Sequence, residues 1–286
     1  MKALKPADFA NVVSDVNLIS NMLSNKEAKS LWNEAVEKLK KVSSAEAKLL
    51  SAVVSNPKAL TKIDPELLAT GLASYVDVLL STWKIQSFYA ANALAASQPF
   101  FVKLSKHIPE IKPNAQYTAA YRGTSADERA IKEFIAKNSD PKNWQKTGIR
   151  SSSKLGLVRG GQNVHYRAYV GPKKNQFLYK PNRPVQSWSV SPNIASGFNT
   201  HMVAAPIDKS FYFDPEFMAA YGPSRHEKEV VHFGNAPMKV LLLVREEMFP
   251  FSSMPKDDDR IKRAKFTGLQ EDAYDDDEGT LIIPQT

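Results

Sequence analysis

Two glutamates separated by one residue, Glu227 and Glu229, are the side chains best suited to chemistry in this sequence. The apolar segment 229–233 that follows predicts a β-strand. Side chains two residues apart on a strand point to the same face. Two like charges on one face are unfavourable unless a ligand or a cation engages both. The pair therefore predicts a site, whereas the plainer interpretation is an edge strand that faces solvent.

An arginine at the end of a predicted strand is the second candidate. Arg122 is the first arginine of the chain, closes a predicted strand over 116–122 and precedes Gly123. The guanidinium fork matches phosphate oxygens better than an ammonium group does. Glycine lets a ligand approach the backbone closely. Arg122 is thus a candidate phosphate-binding residue, and the alternative is a surface arginine that forms a salt bridge.

A serine-rich segment is the third candidate. Ser189 lies in a predicted strand over 185–190, and Ser191 followed by Pro192 is a typical helix start.

These three segments together resemble one enzyme family. Tyr-Arg-Gly, aromatic-Ser-x-Ser and Glu-x-Glu follow in this order, with Arg122, Ser189 and Glu229 at intervals of 67 and 40 residues. The pattern is similar to the Arg-Ser-Glu class of NAD-dependent ADP-ribosyltransferases, which includes clostridial binary toxins, vertebrate ecto-transferases and transferases of T-even bacteriophages. The resemblance covers residues 116–244. It implies NAD as co-substrate and a mixed fold of two packed β-sheets with flanking helices.

The resemblance also implies roles for the NAD-binding residues. Arg122 binds NAD, and the backbone of Gly123 binds the nicotinamide amide. Ser189 orients the catalytic glutamate, although Val190 stands where the family usually has a hydroxyl residue. Phe198 packs against nicotinamide, and the alternative is a core phenylalanine.

The same resemblance gives the two glutamates separate roles. Glu229 engages the ribose hydroxyl and stabilises the oxocarbenium-like charge that develops as nicotinamide leaves. Glu227 positions the acceptor, and a glutamate at this place accompanies arginine acceptors in the family. The stretch 198–225 is expected to form mobile loops over nicotinamide and toward the protein substrate. Within it, the aromatic residues 211–213 could recognise the substrate, and the alternative is a half-buried strand.

The order of helical and strand patterns predicts an α+β protein. Apolar spacing predicts helices over 8–23, 26–42 and 65–85, and a capping box at 43–46 opens another that closes at 56–57. After residue 113 strands are predicted, interrupted by a helix over 125–138. We therefore expect a helical N-terminal part over 1–112, a catalytic domain over 113–250 and a C-terminal extension over 251–286.

Charge is distributed unevenly along the chain. The net charge is +8, no Asp or Glu occurs between 141 and 207, and ten Lys or Arg lie within 142–183. An unopposed basic segment attracts nucleic acid, acidic protein surfaces or a pyrophosphate. The alternative is that the acidic segments 257–259 and 275–278 neutralise it.

Composition excludes several functions. The chain of 286 residues has 43% hydrophobic residues and no cysteine, so it can bury a core but has no disulfide, thiolate metal site or cysteine nucleophile. Histidine spacing predicts no metal site. No stretch predicts a signal peptide or a membrane span. We expect a soluble protein in the cytoplasm, that of a host cell if it is delivered as a toxin or phage effector.

Three hypotheses follow for function. The first is transfer of ADP-ribose from NAD to an arginine of a target-cell protein. The second keeps the same fold with water or nucleic acid as the acceptor. The third is a basic module that binds nucleic acid or protein without catalysis, with its glutamate pair on a solvated face.

Overall fold

The structure, a computed structural model, describes residues 3–40, 44–124, 128–151, 164–198, 201–222 and 227–245. The C-terminal extension, with its two acidic segments, therefore lies outside the described residues. The α-helices are α1 Val16–Met22, α2 Lys26–Lys40, α3 Ser44–Ser55, α4 Pro65–Ala96, α5 Gln98–Leu104, α6 Glu128–Lys137, α7 Pro192–Ser196 and α8 Pro215–Met218. The strands are β1 Ala119–Thr124, β2 Trp144–Ser151, β3 Val164–Tyr169, β4 Phe177–Tyr179, β5 Val185–Ser189, β6 His201–Pro206, β7 Phe211–Tyr212, β8 Glu229–Phe233 and β9 Met238–Arg245. The predicted α+β class is confirmed.

The chain divides into two compact units. Unit 1 comprises Met1–Asn114, Asn182–Ser187 and Ser210–Asn235. Unit 2 comprises the remaining segments, Ala115–Pro181, Trp188–Lys209 and Ala236–Thr286. The domain limits expected from the sequence, at 112 and 250, place the two later segments of unit 1 in the catalytic domain.

The helices and the strands of unit 1 contribute to the same hydrophobic core. Phe101 of α5 packs edge-on against Phe213, with ring centroids 4.9 Å apart. Val231 and Phe233 of β8 are buried in the same core as the helices. Because an amphipathic helix must bury its apolar face against another element, the helices of 1–114 and strand β8 stabilise each other.

Helix α4 is the longest element of unit 1. Asp64 caps its N-terminus by accepting hydrogen bonds from the backbone N–H groups of Glu66 and Leu67. Gln86 has non-helical backbone angles, so the helix is broken there and resumes to Ala96. The predicted helix over 65–85 ends at this break.

Unit 2 contains an open antiparallel sheet. Its described strands follow the order β2-β3-β9-β6-β1-β5, and β4 pairs with β9 beside that path. Tyr121, Tyr166, Met202 and Leu243 contribute to its buried core. The alternation of side chains across each strand places these residues on the covered face. The finer expectation of two packed sheets stays a prediction.

Two expectations about local structure are wrong. The helix expected over 8–23 is a short 3₁₀ helix, Pro6–Phe9, followed by α1. Helix α1 begins late because Asp15 is its cap and accepts a hydrogen bond from Leu18 N. The loops expected over 198–225 contain β6, β7 and α8, whose residues are largely buried. No helix in the described part of the chain is long and apolar enough to cross a membrane.

Candidate active site

Strand β8 places Glu229 inside unit 1. All five residues of the strand are buried, and Glu229 itself is 5% exposed. Glu229 shares a face with Val231 and Phe233 because strand side chains alternate, and those two residues pack into the core formed with the helices. The alternative of a solvent-facing edge strand therefore does not describe Glu229.

Lys84 of α4 contacts both glutamates. Its Nζ atom lies 2.6 Å from Glu227 Oε2 and 2.8 Å from Glu229 Oε2. The side chain of Lys84 is 1% exposed, whereas that of Glu227 is 36% exposed. A single buried ammonium thus joins two carboxylates, one buried and one accessible to solvent. Charge-assisted hydrogen bonds of this length are among the stronger polar contacts in proteins.

Trp83, the neighbour of Lys84 in α4, holds the other oxygen of Glu229. Its indole Nε1 donates a hydrogen bond of 2.8 Å to Glu229 Oε1. Trp83 is itself 2% exposed. Each oxygen of the Glu229 carboxylate therefore has a buried donor from α4, and this fixes the plane of the carboxylate. Each oxygen keeps a second lone pair that can accept a hydrogen bond from a ligand.

The ammonium of Lys84 is charged in this environment. Burial by itself lowers the pKa of Lys84, because a low dielectric disfavours the charged form. The attraction of Glu229 and the hydrogen bonds to Glu227 and Glu229 together outweigh burial, and the pKa of Lys84 lies above its ordinary value. Lys84 is consequently a cation at neutral pH.

Gly222 makes room for the stem of Lys84. A Cβ atom at position 222 would lie 2.8 Å from Cβ, 3.0 Å from Cγ and 3.2 Å from Cε of Lys84. Real Cβ atoms essentially never approach a neighbour as closely as the first of these distances. The backbone of Gly222 is extended, so its absent side chain, not a special backbone conformation, is what this position requires.

Glu227 and Glu229 do not converge through the alternation of side chains along one strand, as the sequence predicted. Strand β8 begins at Glu229, so Glu227 lies before the strand and does not share its alternation. Lys228 between them has φ 43°, in the left-handed region that non-glycine residues rarely adopt. Such a residue costs about 1–3 kcal/mol unless its surroundings enforce it. The shared contact with Lys84 is an interaction that holds this turn.

Unit 2 brings together the other two expected residues. Strands β1 and β5 are antiparallel with Tyr121 opposite Ser189, so Arg122 lies next to the residue that faces Ser189. Ser189 is 5% exposed, and its Oγ accepts a hydrogen bond of 3.1 Å from Ser191 N. Arg122 pairs with Val203 of β6 and is half-buried, as is Gly123. The NAD-binding roles of Arg122, Gly123 and Ser189 stay predictions.

Two other candidates have surface positions in unit 2. Phe198 is 55% exposed, so the alternative that it is a core residue is wrong, while its expected contact with nicotinamide stays a prediction. Within the basic segment 142–183, the described lysines are exposed, whereas Arg167 is 8% exposed. Lys154 and Arg159 of that segment lie outside the described residues.

Sequence reasoning missed Trp83 and Lys84. The sequence does contain one indication that Lys84 is unusual. Lys84 is the only basic residue of α4, a segment that is apolar nearly all round. A lysine in a buried helix requires a carboxylate partner. Glu229 is 145 residues away in the chain, and nothing in the local pattern of either residue identifies the other.

Comparison of the chain with protein-family models, curated proteins and solved structures finds no match in any of the three.

Proposed function

We propose that the protein is a mono-ADP-ribosyltransferase that cleaves NAD at the bond between nicotinamide and ribose and transfers ADP-ribose to arginine of a target protein. The observation that carries the proposal is the convergence of Glu227 and Glu229 on one buried cation. The motif resemblance gives this pair its roles. The finer fold that belongs to the proposal is the two-sheet ADP-ribosyltransferase arrangement.

The proposed reaction exchanges one bond at the ribose anomeric carbon. The bond from this carbon to the nicotinamide nitrogen breaks, and neutral nicotinamide leaves with the electron pair. The positive charge that develops on the ribose is stabilised by the carboxylate of Glu229. A nitrogen of the acceptor guanidinium then bonds to the carbon and loses a proton, which Glu227 accepts. Arg122 binds a phosphate of NAD.

Different exposure suits the two glutamates to different roles. Glu229 is nearly inaccessible to solvent and both its oxygens are held by donors. A fixed, desolvated carboxylate stabilises developing charge better than a mobile one in water, because it needs no reorganisation during the reaction. Glu227 is 36% exposed and can meet a side chain from another protein. This difference supports the enzyme hypothesis over the binding module, for which both carboxylates are expected on a solvated face.

The choice of acceptor rests on residue type. Glutamate at position 227 favours arginine according to the resemblance, whereas water or nucleic acid as acceptor is the alternative on the same fold. The exposed lysines of 142–183 in unit 2 suit a polyanion, and this contact stays a prediction. The target, a protein of the host or target cell, is part of the proposal.

Release of nicotinamide from NAD tests the proposal. We would compare the native chain with Glu229→Gln, and use Glu216→Gln as the matched control because Glu216 is exposed in the same unit. We expect the native chain and the control to release nicotinamide. In Glu229→Gln the rate of release should fall by about a hundredfold or more. A folded native chain that releases no nicotinamide, with or without a cell lysate, overturns the proposal.

A labelled NAD assay on a lysate then separates the acceptors. Labelled protein bands that disappear with Glu229→Gln support protein transfer and identify the target. Mutant-sensitive release that does not increase with lysate, and that labels no other protein, indicates NAD hydrolysis or self-modification. Label that is removed by nuclease indicates a nucleic-acid acceptor.

A further inference from the structure

The catalytic carboxylate of the proposed transferase is held by residues of the helical N-terminal part. Trp83 and Lys84 are adjacent in α4, and each donates to a different oxygen of Glu229. Lys84 also donates to Glu227. Neither residue belongs to the Arg, Ser and Glu motifs, and no role for them follows from the resemblance. Helix α4 and strand β8 belong to the same compact unit and share its core.

Lys84 is built into the fold. Its side chain is 1% exposed, and its stem lies against the backbone of Gly222, where no Cβ atom fits. A lysine that served as a removable plug would need an exposed stem or a loop that can withdraw. Lys84 instead lies within a buried helix, two residues before the break at Gln86.

The three groups differ in their access to solvent. Lys84 lies on the buried side, whereas Glu227 is the more exposed of the two carboxylates and can be reached by a side chain of another protein. An arginine guanidinium can bind a carboxylate with two parallel hydrogen bonds. Lys84 therefore complements the arginine acceptor and does not replace it.

We propose that Lys84 and Trp83 are positioning residues of the transferase. Lys84 holds the two carboxylates together, Trp83 fixes the plane of Glu229, and the helical part of the chain is thereby required for catalysis. This inference rests on the proposed function. Its consequence is that loss of Lys84 lowers the rate of NAD cleavage more than it weakens NAD binding.

The test compares three substitutions of these residues in the full chain. Lys84→Met removes the ammonium and keeps the length of the stem, Lys84→Arg restores a cation, and Trp83→Phe removes only the indole donor. Lys48→Met, at an exposed lysine of α3, is the matched control. Steady-state kcat and KM for NAD are measured by nicotinamide release, and far-UV circular dichroism checks the fold.

We expect kcat of Lys84→Met to fall about a hundredfold and that of Trp83→Phe about tenfold, since misplacement by about 1 Å can cost this much. KM for NAD should change less than about threefold, because these residues act through Glu229 and do not contact NAD. Lys84→Arg should recover part of kcat, and the control should match the native chain. If Lys84→Met does not fold, Trp83→Phe and Lys84→Arg decide the question. A kcat below that of the native chain with a nearly unchanged KM supports the inference, and a native kcat in both variants overturns it.

Three outcomes overturn the inference. A folded Lys84→Met chain as active as the native protein shows that Glu229 needs no positioning by α4. A more active Lys84→Met chain shows that Lys84 occupies the acceptor position and inhibits the enzyme. A native chain without any NAD cleavage overturns the proposed function and this inference with it, and is distinguished from the first two outcomes by the native measurement.

Discussion

Lys84 Nζ lies 2.8 Å from Glu229 Oε2, with side chains that are 1% and 5% exposed, in residues 145 positions apart. A buried ion pair stabilises a fold little relative to an apolar replacement of the whole pair, because both charges lose their hydration. Removal of one partner is different, since the other charge remains buried without compensation. The two partners differ in this respect, because Lys84 contacts two carboxylates and its removal affects both of them.

We predict that Lys84→Met destabilises the fold more than Glu229→Gln does. Lys84→Met removes the ammonium that both neighbouring carboxylates contact, and we expect the free energy of unfolding to fall by about 3–5 kcal/mol. Glu229→Gln leaves Lys84 paired with Glu227 at 2.6 Å, so its effect should be smaller. Urea unfolding at neutral pH measures both.

Glu227→Gln combined with Lys84→Met provides the control for this prediction. The double variant has one carboxylate, Glu229, in place of two neighbouring ones, so it should be more stable than Lys84→Met alone. A double variant that is less stable than the single variant contradicts the charge argument, since repulsion between the carboxylates would then not be the main cost.

A second prediction concerns Gly222. Gly222→Ala places a methyl group 2.8 Å from Lys84 Cβ in a backbone conformation that alanine accepts. Overpacking of this kind costs about 1–3 kcal/mol. The added methyl also displaces the ammonium from the carboxylates. In the Lys84→Met background no ammonium is present to be displaced, so Gly222→Ala should cost less there.

A double-mutant cycle on Gly222→Ala and Lys84→Met measures that coupling from four urea unfolding curves. Contacting residues typically couple by about 0.5–3 kcal/mol, whereas independent sites add within about 0.5 kcal/mol. Additivity of the two substitutions would mean that Gly222 does not act through Lys84.

The sequence predicts strand β8, because the strand depends on local pattern. Apolar residues after Glu229 define the strand, and its alternation puts Glu229 on the face of Val231 and Phe233. The partners of Glu229 could not be predicted in this way. Trp83 and Lys84 reach it through packing of α4 in the unit 1 core, a long-range relationship that no local period encodes.

The same limit explains the errors in local structure. The stretch 198–225 was expected to form loops by resemblance, but its buried residues include Met202, Val203, Phe211 and Phe213. The alternative of a strand at 211–213 describes β7, Phe211–Tyr212, which is buried and pairs with β8. The turn that brings Glu227 to Lys84 depends on the positive φ of Lys228. A lysine at this position does not predict a positive φ.

A third prediction concerns alkaline pH and Tyr221. Its hydroxyl accepts a hydrogen bond of 3.0 Å from Leu4 N, and burial is the main cause that raises the pKa of Tyr221 to about 12. The folded state therefore holds the phenol proton more tightly than the unfolded chain does. This contribution to stability is full below the ordinary tyrosine pKa of about 10 and is lost as pH rises toward 12.

We accordingly expect the free energy of unfolding to decrease between pH 10 and 12, with Tyr221 contributing up to about 1.4 kcal/mol per pH unit. Tyr221→Phe should lower stability at pH 7 by about 1 kcal/mol, because Leu4 N loses its acceptor. It should also flatten the alkaline decrease. Urea unfolding at a series of pH values tests this, and an unchanged slope in the variant contradicts the role of Tyr221.

The last prediction separates cleavage of NAD from transfer of ADP-ribose. Glu227 is 36% exposed and Glu229 is 5% exposed, although both contact the same ammonium. In the proposed function only Glu229 stabilises the ribose, whereas Glu227 accepts a proton from the acceptor. Glu227→Gln should therefore keep nicotinamide release within about tenfold of the native rate and lose about a hundredfold in transfer to a guanidine, since general-base contributions have this size.

Agmatine, a small guanidine, and cadaverine, an amine of similar length, distinguish the acceptor chemistry. The native chain should label agmatine and not cadaverine, because the guanidinium fork matches a carboxylate with two hydrogen bonds. Glu229→Gln should lose release and transfer together, since both require the ribose to develop positive charge. If Glu227→Gln instead loses release as severely as Glu229→Gln, then Glu227 acts on NAD itself, and the division of roles between the two carboxylates is wrong.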